Sequence, residues 1–134
     1  MKRIEGEELL WRYAAGERNF RSADLRCANL SCASLIGIDL RNANLDRVNL
    51  KLTDLEGAKF QRATLEGANL DGADLNGADF EDASLREANL NNTDLRNTNF
   101  AGSDTTNATF VGCRFHDPED RGPKRWREWY GIDC

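Results

Sequence analysis

One histidine, one methionine and two prolines in 134 residues leave little material for many catalytic or metal sites. His116 is the sole imidazole, and Cys27, Cys32, Cys113 and Cys134 contain no Cys-x-x-Cys pair. A closed zinc site would have to gather its four ligands from scattered positions, so no metal or cofactor is expected. No apolar run approaches the roughly 18 to 20 residues that a bilayer-crossing helix needs, and no membrane association is expected. The opening MKRIEGEELLWRYAAGERNF has neither a continuous apolar stretch nor a small-residue cleavage site, so it does not read as a secretory signal. The net charge of -5 comes without a basic patch of the kind that grips phosphates, which argues against direct nucleic-acid binding.

What the sequence does have is a beat of five. Every fifth residue between 20 and 115 is Leu or Phe, except Thr105. Two residues before each, the chain is small or compact: Ala23, Ala28, Ala33, Ala43, Ala58, Ala63, Ala68, Ala73, Ala78, Ala83 and Ala88. Ile38, Val48, Thr53, Thr93, Thr98, Ser103 and Cys113 vary this without adding charge, and Arg18 alone breaks it. A period of five fits neither the 3.6 of a helix nor the 2 of a flat strand, so the chain must turn once per repeat. If each repeat forms one side of a square coil, residues twenty apart stack. Phe20, Leu40, Phe60, Phe80 and Phe100 then form one interior column, and aromatic stacking is expected along it. The skipped beat at Thr105 is where the interior should be weakest.

Two further patterns agree with a turn at every beat. Gly37, Gly57, Gly67, Gly72, Gly77, Gly102 and Gly112 all fall two residues after a Leu or Phe, where a turn needing positive φ would favour them. The residue just before each Leu or Phe is mostly Asp, Asn, Ser or Thr, whose short side chains bond nearby backbone at turns.

The recurring ADL, ANL, ASL, ATL, AKF and ADF units resemble the pentapeptide-repeat family over about three quarters of the chain. That resemblance implies an all-β solenoid: a right-handed quadrilateral β-helix of about five coils with Leu, Phe and Ala directed inward. ELLWRYAAGERNF followed by RSADLRCANL is similar to cyanobacterial and plastid members in which a short helix covers the first coil. The expected organisation is an N-terminal capping helix within 1–17, the β-helix over 18–117, and a C-terminal cap or tail over 118–134. The expected compartment is the cytoplasm, with the thylakoid lumen or periplasm as the alternative if a leader has been removed.

At the first end, residues 5–15 read as a helix. Leu9, Leu10, Tyr13 and Ala14 can share one face, with early glutamates suiting the dipole and Gly16 ending it. Capping is its expected role and partner binding the alternative. At the other end, Trp126, Trp129 and Tyr130 stand at i, i+3, i+4, a stripe that can cover the last coil or form a homodimer contact; a monomer is favoured. A Cys27–Cys32 bridge and a Cys113–Cys134 bridge that pins the C-terminal cap are both open.

Reading in steps of twenty turns the sequence into a surface map. One column is Asn29, Asn49, Asn69 and Asn89, an asparagine ladder; the next side carries Ser34, Asp54, Asp74 and Asp94. A solvated acidic stripe is the first reading of Asp54, Asp74 and Asp94, with cation binding as the alternative, and the same aspartates are the candidate partner surface. Residues 18–62 hold eight basic and five acidic residues, and residues 63–117 hold three basic and ten acidic. Some members of the family imitate DNA toward a type II topoisomerase, so a modulator of DNA gyrase is the second functional reading. The first is a non-catalytic protein-binding or scaffolding module. A tube filled with Leu, Phe and Ala has a convex exterior, where no acid, base and nucleophile converge, so no enzyme is expected.

Overall fold

Local turn chemistry sets the architecture. The N–H three residues after a Leu or Phe returns to that residue's carbonyl at every beat from Phe20 to Leu85 and again at Leu95 and Phe100, as Ala43 does to Leu40 (3.1 Å) and Ala63 to Phe60 (2.9 Å). The third residue of each such turn is left-handed: φ lies between 56° and 74° at every fifth position from 22 to 112. Glycine or asparagine fills many of these positions at little cost. Leu52, Arg47, Arg62, Glu87, Cys27 and Cys32 adopt the same φ, each against a penalty of about 1 to 2 kcal/mol.

The computed structural model describes residues 2–115. Over them, the residue before each Leu or Phe pairs in parallel with the residue twenty positions on, from Asn19 with Asp39 to Asp94 with Arg114. Backbone bonds stitch each coil to the next, as in Leu25 N–H to Asn44 O (2.8 Å), Cys27 N–H to Asp46 O (3.0 Å) and Asn44 N–H to Ala23 O (2.9 Å). Four five-residue steps separate paired positions, so the chain is a repeat β-helix with four sides. Side 1 comprises residues 18–22 and the positions twenty, forty and more beyond; sides 2, 3 and 4 begin at 23, 28 and 33. Among the described residues, no helix is long and apolar enough to cross a membrane.

The interior is one apolar column per side. Leu25, Leu30, Leu35, Leu40 and the Leu and Phe that follow them as far as Phe100 are fully buried, with Ala43, Ala58, Ala63 and other small residues beside them. Polar residues at the small position are satisfied rather than merely tolerated. Thr53 and Thr93 are buried and donate to Leu50 O (2.6 Å) and Leu90 O (2.7 Å), the carbonyls three residues before them. The Cys113 thiol donates likewise to Phe110 O (2.8 Å), which makes it an inward residue; Cys134 lies outside the described residues.

The aromatic column is shorter than the periodicity implies. Phe60 stacks on Phe80 (4.5 Å, 3°) and Phe80 on Phe100 (5.2 Å, 7°), while Phe110 from the opposite side meets Phe100 edge-on (6.1 Å). Phe20 is outside this stack, because Leu40 separates it from Phe60. Its ring instead receives the Arg12 guanidinium at 5.0 Å. Thr105 is half-buried, unlike the fully buried leucines of its column.

The N-terminus contributes more than a helix. Arg3 bridges Asp24, and Ile4 N–H bonds Asp24 O (2.9 Å), so buried Ile4 heads the Leu25, Leu45, Leu65, Leu85 column at a spacing of one extra residue. Helix α1 (Gly6–Ala14) follows, with Glu7 and Glu8 in its first turn and Arg12 in its last. Its buried face is Gly6 and Leu9, with Tyr13 half-buried; Leu10 and Ala14 are exposed, contrary to the face read from sequence. Close approach explains the difference. A Cβ on Gly6 would lie 2.8 Å from Asn29 O, so the helix rests on the first coil along the Gly6–Leu9–Tyr13 line. Tyr13 Oη donates to Ile36 O (2.7 Å), and Arg18 leaves the interior to lie over the Tyr13 ring (3.6 Å), which is why Arg18 breaks the small-residue pattern.

Candidate functional site

Side 4 places Ser34, Asp54, Asp74, Asp94 and Arg114 in one bridged column. Each aspartate first serves its own turn: Oδ1 accepts the N–H two residues on, from Glu56 (3.2 Å), Asn76 (3.0 Å) and Arg96 (3.1 Å). What the residue at that second position carries then decides the charge. Glu56 adds a third carboxylate, and oxygens of Asp54, Glu56 and Asp74 lie within 4.8 Å of one another. At that separation each pair repels by about 1 kcal/mol in bulk water. Three carboxylates fall short of the roughly six to eight oxygens of a calcium site.

Asp94 does not extend this acidic face. Arg96 Nη2 reaches its Oδ2 at 2.6 Å and Nε its Oδ1 at 2.9 Å, a forked pair that holds the Asp94 carboxyl below the usual carboxylate range against partial burial. The same guanidinium feels Asp74 and Glu56, and its own pKa rises, chiefly through Asp94. The open acidic group is therefore Asp54, Glu56 and Asp74, with Arg96 as a built-in counter-ion at its C-terminal edge. Glu56 was legible as the i+2 residue of Asp54, because the same spacing joins Asp24 to Arg26 and Asp39 to Arg41.

The asparagine column also works mainly through turns. Asn49, Asn69 and Asn89 accept N–H groups from Lys51, Asp71 and Asn91, while only Asn49 Nδ2 to Asn29 Oδ1 (3.2 Å) makes a rung between coils. Cys27 and Cys32 are free, exposed thiols at left-handed corners, not a bridge. Trp126, Trp129, Tyr130 and His116 lie outside the described residues.

Residues 43–117 match the pentapeptide repeat region, and residues 19–42 match pentapeptide repeats. The chain belongs to the pentapeptide-repeat family. Among solved structures, this pentapeptide-repeat chain is similar to Rfr23 from the cyanobacterium Cyanothece 51142, with 42% identity over 69% of this chain and 63% of that one (TM-score 0.68). It is also similar to HetL from the cyanobacterium Nostoc sp. strain PCC 7120, with 35% identity over 82% of this chain and 46% of that one (TM-score 0.81). The chain thus spans less than two thirds of either protein's length. A pentapeptide repeat protein of the Arabidopsis thaliana thylakoid lumen shares 30% identity over 79% of this chain and 74% of that one, with a TM-score of 0.44. No curated protein matches the chain significantly.

Proposed function

We propose that this pentapeptide-repeat protein is a non-catalytic recognition module whose side 4 presents Asp54, Glu56 and Asp74 to a basic segment of a protein partner. The observation behind this reading is the cluster itself: three carboxylates within 4.8 Å, held on a straight, regular side. A partner lysine or arginine would relieve their mutual repulsion, and electrostatic complementarity of this kind gives specificity and fast association. HetL is described as involved in heterocyst differentiation regulation, a role compatible with binding rather than turnover. In this reading residues 18–117 form a right-handed rod of about five coils. Residues 1–17 cap one end, residues 118–134 cap the other through Trp126, Trp129 and Tyr130, and the protein works in the cytoplasm.

Neutral variants that keep the turn acceptors test it: Asp54→Asn, Glu56→Gln and Asp74→Asn together. Capture of partners from a cyanobacterial lysate is expected to lose its basic-protein component with the triple variant and keep it with Asp94→Asn. Equal capture by all three forms would sink the proposal. The acidic balance of residues 63–117 supports a second reading, DNA mimicry toward a type II topoisomerase such as gyrase. A supercoiling assay in which the full chain neither inhibits nor protects gyrase removes it.

A further inference from the structure

Side 1 is where charge is sorted by sign along the axis. From residue 18 to residue 62 it carries Arg18, Arg21, Arg41, Lys59 and Arg62 against Asp39 alone; the next coil carries Asp79, Glu81 and Asp82 with no cation. Side 2 mixes signs through Asp24, Arg26, Asp46, Arg47, Glu66, Arg86, Glu87 and Asp104, and side 3 has only Lys51 and Asp71. Asp39 is already satisfied, by Arg21 Nε at 2.7 Å and by a fork from Arg41 at 2.8 and 3.0 Å.

Lys59, Arg62, Glu81 and Asp82 stand apart. All four are exposed, and among the described residues none enters an ion pair within 4.0 Å. Arg62 and Asp82 occupy the same corner column one coil apart, yet Arg62 Nε turns back to the neutral Asn42 Oδ1 (3.0 Å). The Asp79 carboxylate accepts only neutral N–H groups, from the Gln61 amide (3.1 Å), the Asn99 amide (3.2 Å) and the Glu81 backbone (2.9 Å).

A two-fold axis perpendicular to the rod, passing between these coils, carries Lys59 and Arg62 of one copy onto Asp79, Glu81 and Asp82 of a second, and the reverse by the same operation. We infer that side 1 is a contact between two antiparallel copies of this chain. A two-fold contact uses one patch on both partners, so the patch must complement itself. Side 1 meets that condition, whereas the acidic cluster of side 4 would oppose its own image. An acidic partner laid on Arg41, Lys59 and Arg62 would leave Asp79, Glu81 and Asp82 unanswered; a second copy answers both halves. The flanks suit close approach, since the two-fold sets Arg41 against the neutral Asn99, Ala101 and Gly102. The chain exposes 7071 Å², so one side in four can supply the roughly 800 Å² per partner of a standard interface. This contact uses neither Asp54, Glu56 and Asp74 nor the C-terminal aromatics, so it stands or falls separately from the proposed function.

Sedimentation equilibrium of the full chain tests it. A dimer is expected at about 0.01 M salt, where charges are screened over about 30 Å, weakening at least ~10-fold at about 1 M, where screening acts within about 3 Å. Lys59→Glu with Arg62→Glu makes the two central coils of side 1 uniformly acidic, and Glu81→Lys with Asp82→Lys makes them net basic. Each double variant alone is expected to be monomeric, and an equimolar mixture of the two to associate again as a heterodimer. Circular dichroism melts at native values verify folding, and Lys59→Gln with Arg62→Gln replaces the first pair if they fall. A chain monomeric at low salt overturns the inference. So does a dimer indifferent to salt and to both reversals, which would point to the aromatic tail instead.

Discussion

Leu40 is the one non-aromatic residue in its column between Phe20 and Phe100, and the residue two before it is the bulky Ile38 where the aromatic coils carry Ala58 and Ala78. Ile38, Leu40, Ala58, Phe60, Ala78 and Phe80 are all buried, so the two inward positions of a side share one fixed volume. Splitting the pair should therefore be damaging and exchanging it whole should not. Ile38→Ala alone opens a cavity, at a cost of about 2 to 5 kcal/mol. Leu40→Phe alone overpacks the coil by about 1 to 3 kcal/mol. The double variant recreates the Ala58/Phe60 pairing and sets a new ring between Phe20 and Phe60, where each aromatic contact is worth about 0.5 to 1.5 kcal/mol. It is expected within about 1.5 kcal/mol of the native protein, as volume-conserving core swaps usually are. That corresponds to a favourable coupling of at least ~1.5 kcal/mol between neighbouring sites. Urea unfolding of the four proteins by circular dichroism, with unchanged slopes, gives the cycle. Losses that simply add in the double variant would refute the shared-volume account of the core.

Three other outcomes follow from named contacts. Thr93→Val keeps the shape of a fully buried side chain but removes the 2.7 Å bond to Leu90 O, and is expected to cost about 1 kcal/mol in chemical denaturation; no loss would mean that the hydroxyl is incidental. Leu52 is 56% exposed at φ 57°, so Leu52→Asn should raise stability by up to about 1 kcal/mol, because asparagine visits the left-handed region readily; a lowered melting temperature would show that its cover over Gly72 matters more. Asp24 is held down to about 2 by the Arg26 fork, opposed by desolvation, and Asp104 to about 2 by the Thr106 hydroxyl and N–H with Arg86. Both folded values lie below the ordinary carboxylate value. Their stabilisation is therefore complete above about pH 4 and fades as pH falls toward 2. Asp24→Asn with Asp104→Asn should flatten the stability profile in that window, and an unchanged acid limb would discount both pairs.

Legibility differs between the inside and the outside of the coil for a physical reason. An inward position has one role, to fill a fixed volume, so Leu25, Ala43 and Phe80 repeat at their interval and the stacking of coils can be read from sequence. Left-handed corners repeat for the same reason, as Gly37, Gly57 and Gly77 show. Outward side chains answer to several neighbours at once: the residue two ahead, as in Asp94 with Arg96; the residue eighteen behind, as in Asp39 with Arg21; and the residue twenty behind, as in Arg62 with Asn42. Column reading sees only the last of these, so it counted Asp94 as open acid and overlooked Glu56. The i+2 rule was nonetheless written in the chain as Asp24-Leu25-Arg26, Asp39-Leu40-Arg41 and Asp94-Leu95-Arg96. Because the turn delivers the N–H of residue i+2 to each aspartate, it also delivers that residue's side chain, and an arginine there closes a fork while a glutamate there concentrates charge. The same geometry therefore makes Asp94 a neutral element and Asp54 part of an exposed acidic cluster. A single exchange tests that logic: Glu56→Arg should clamp Asp54 as Arg96 clamps Asp94, so that capture of basic proteins falls as it does in the triple neutral variant, whereas undiminished capture would show that position i+2 does not set the charge of the side.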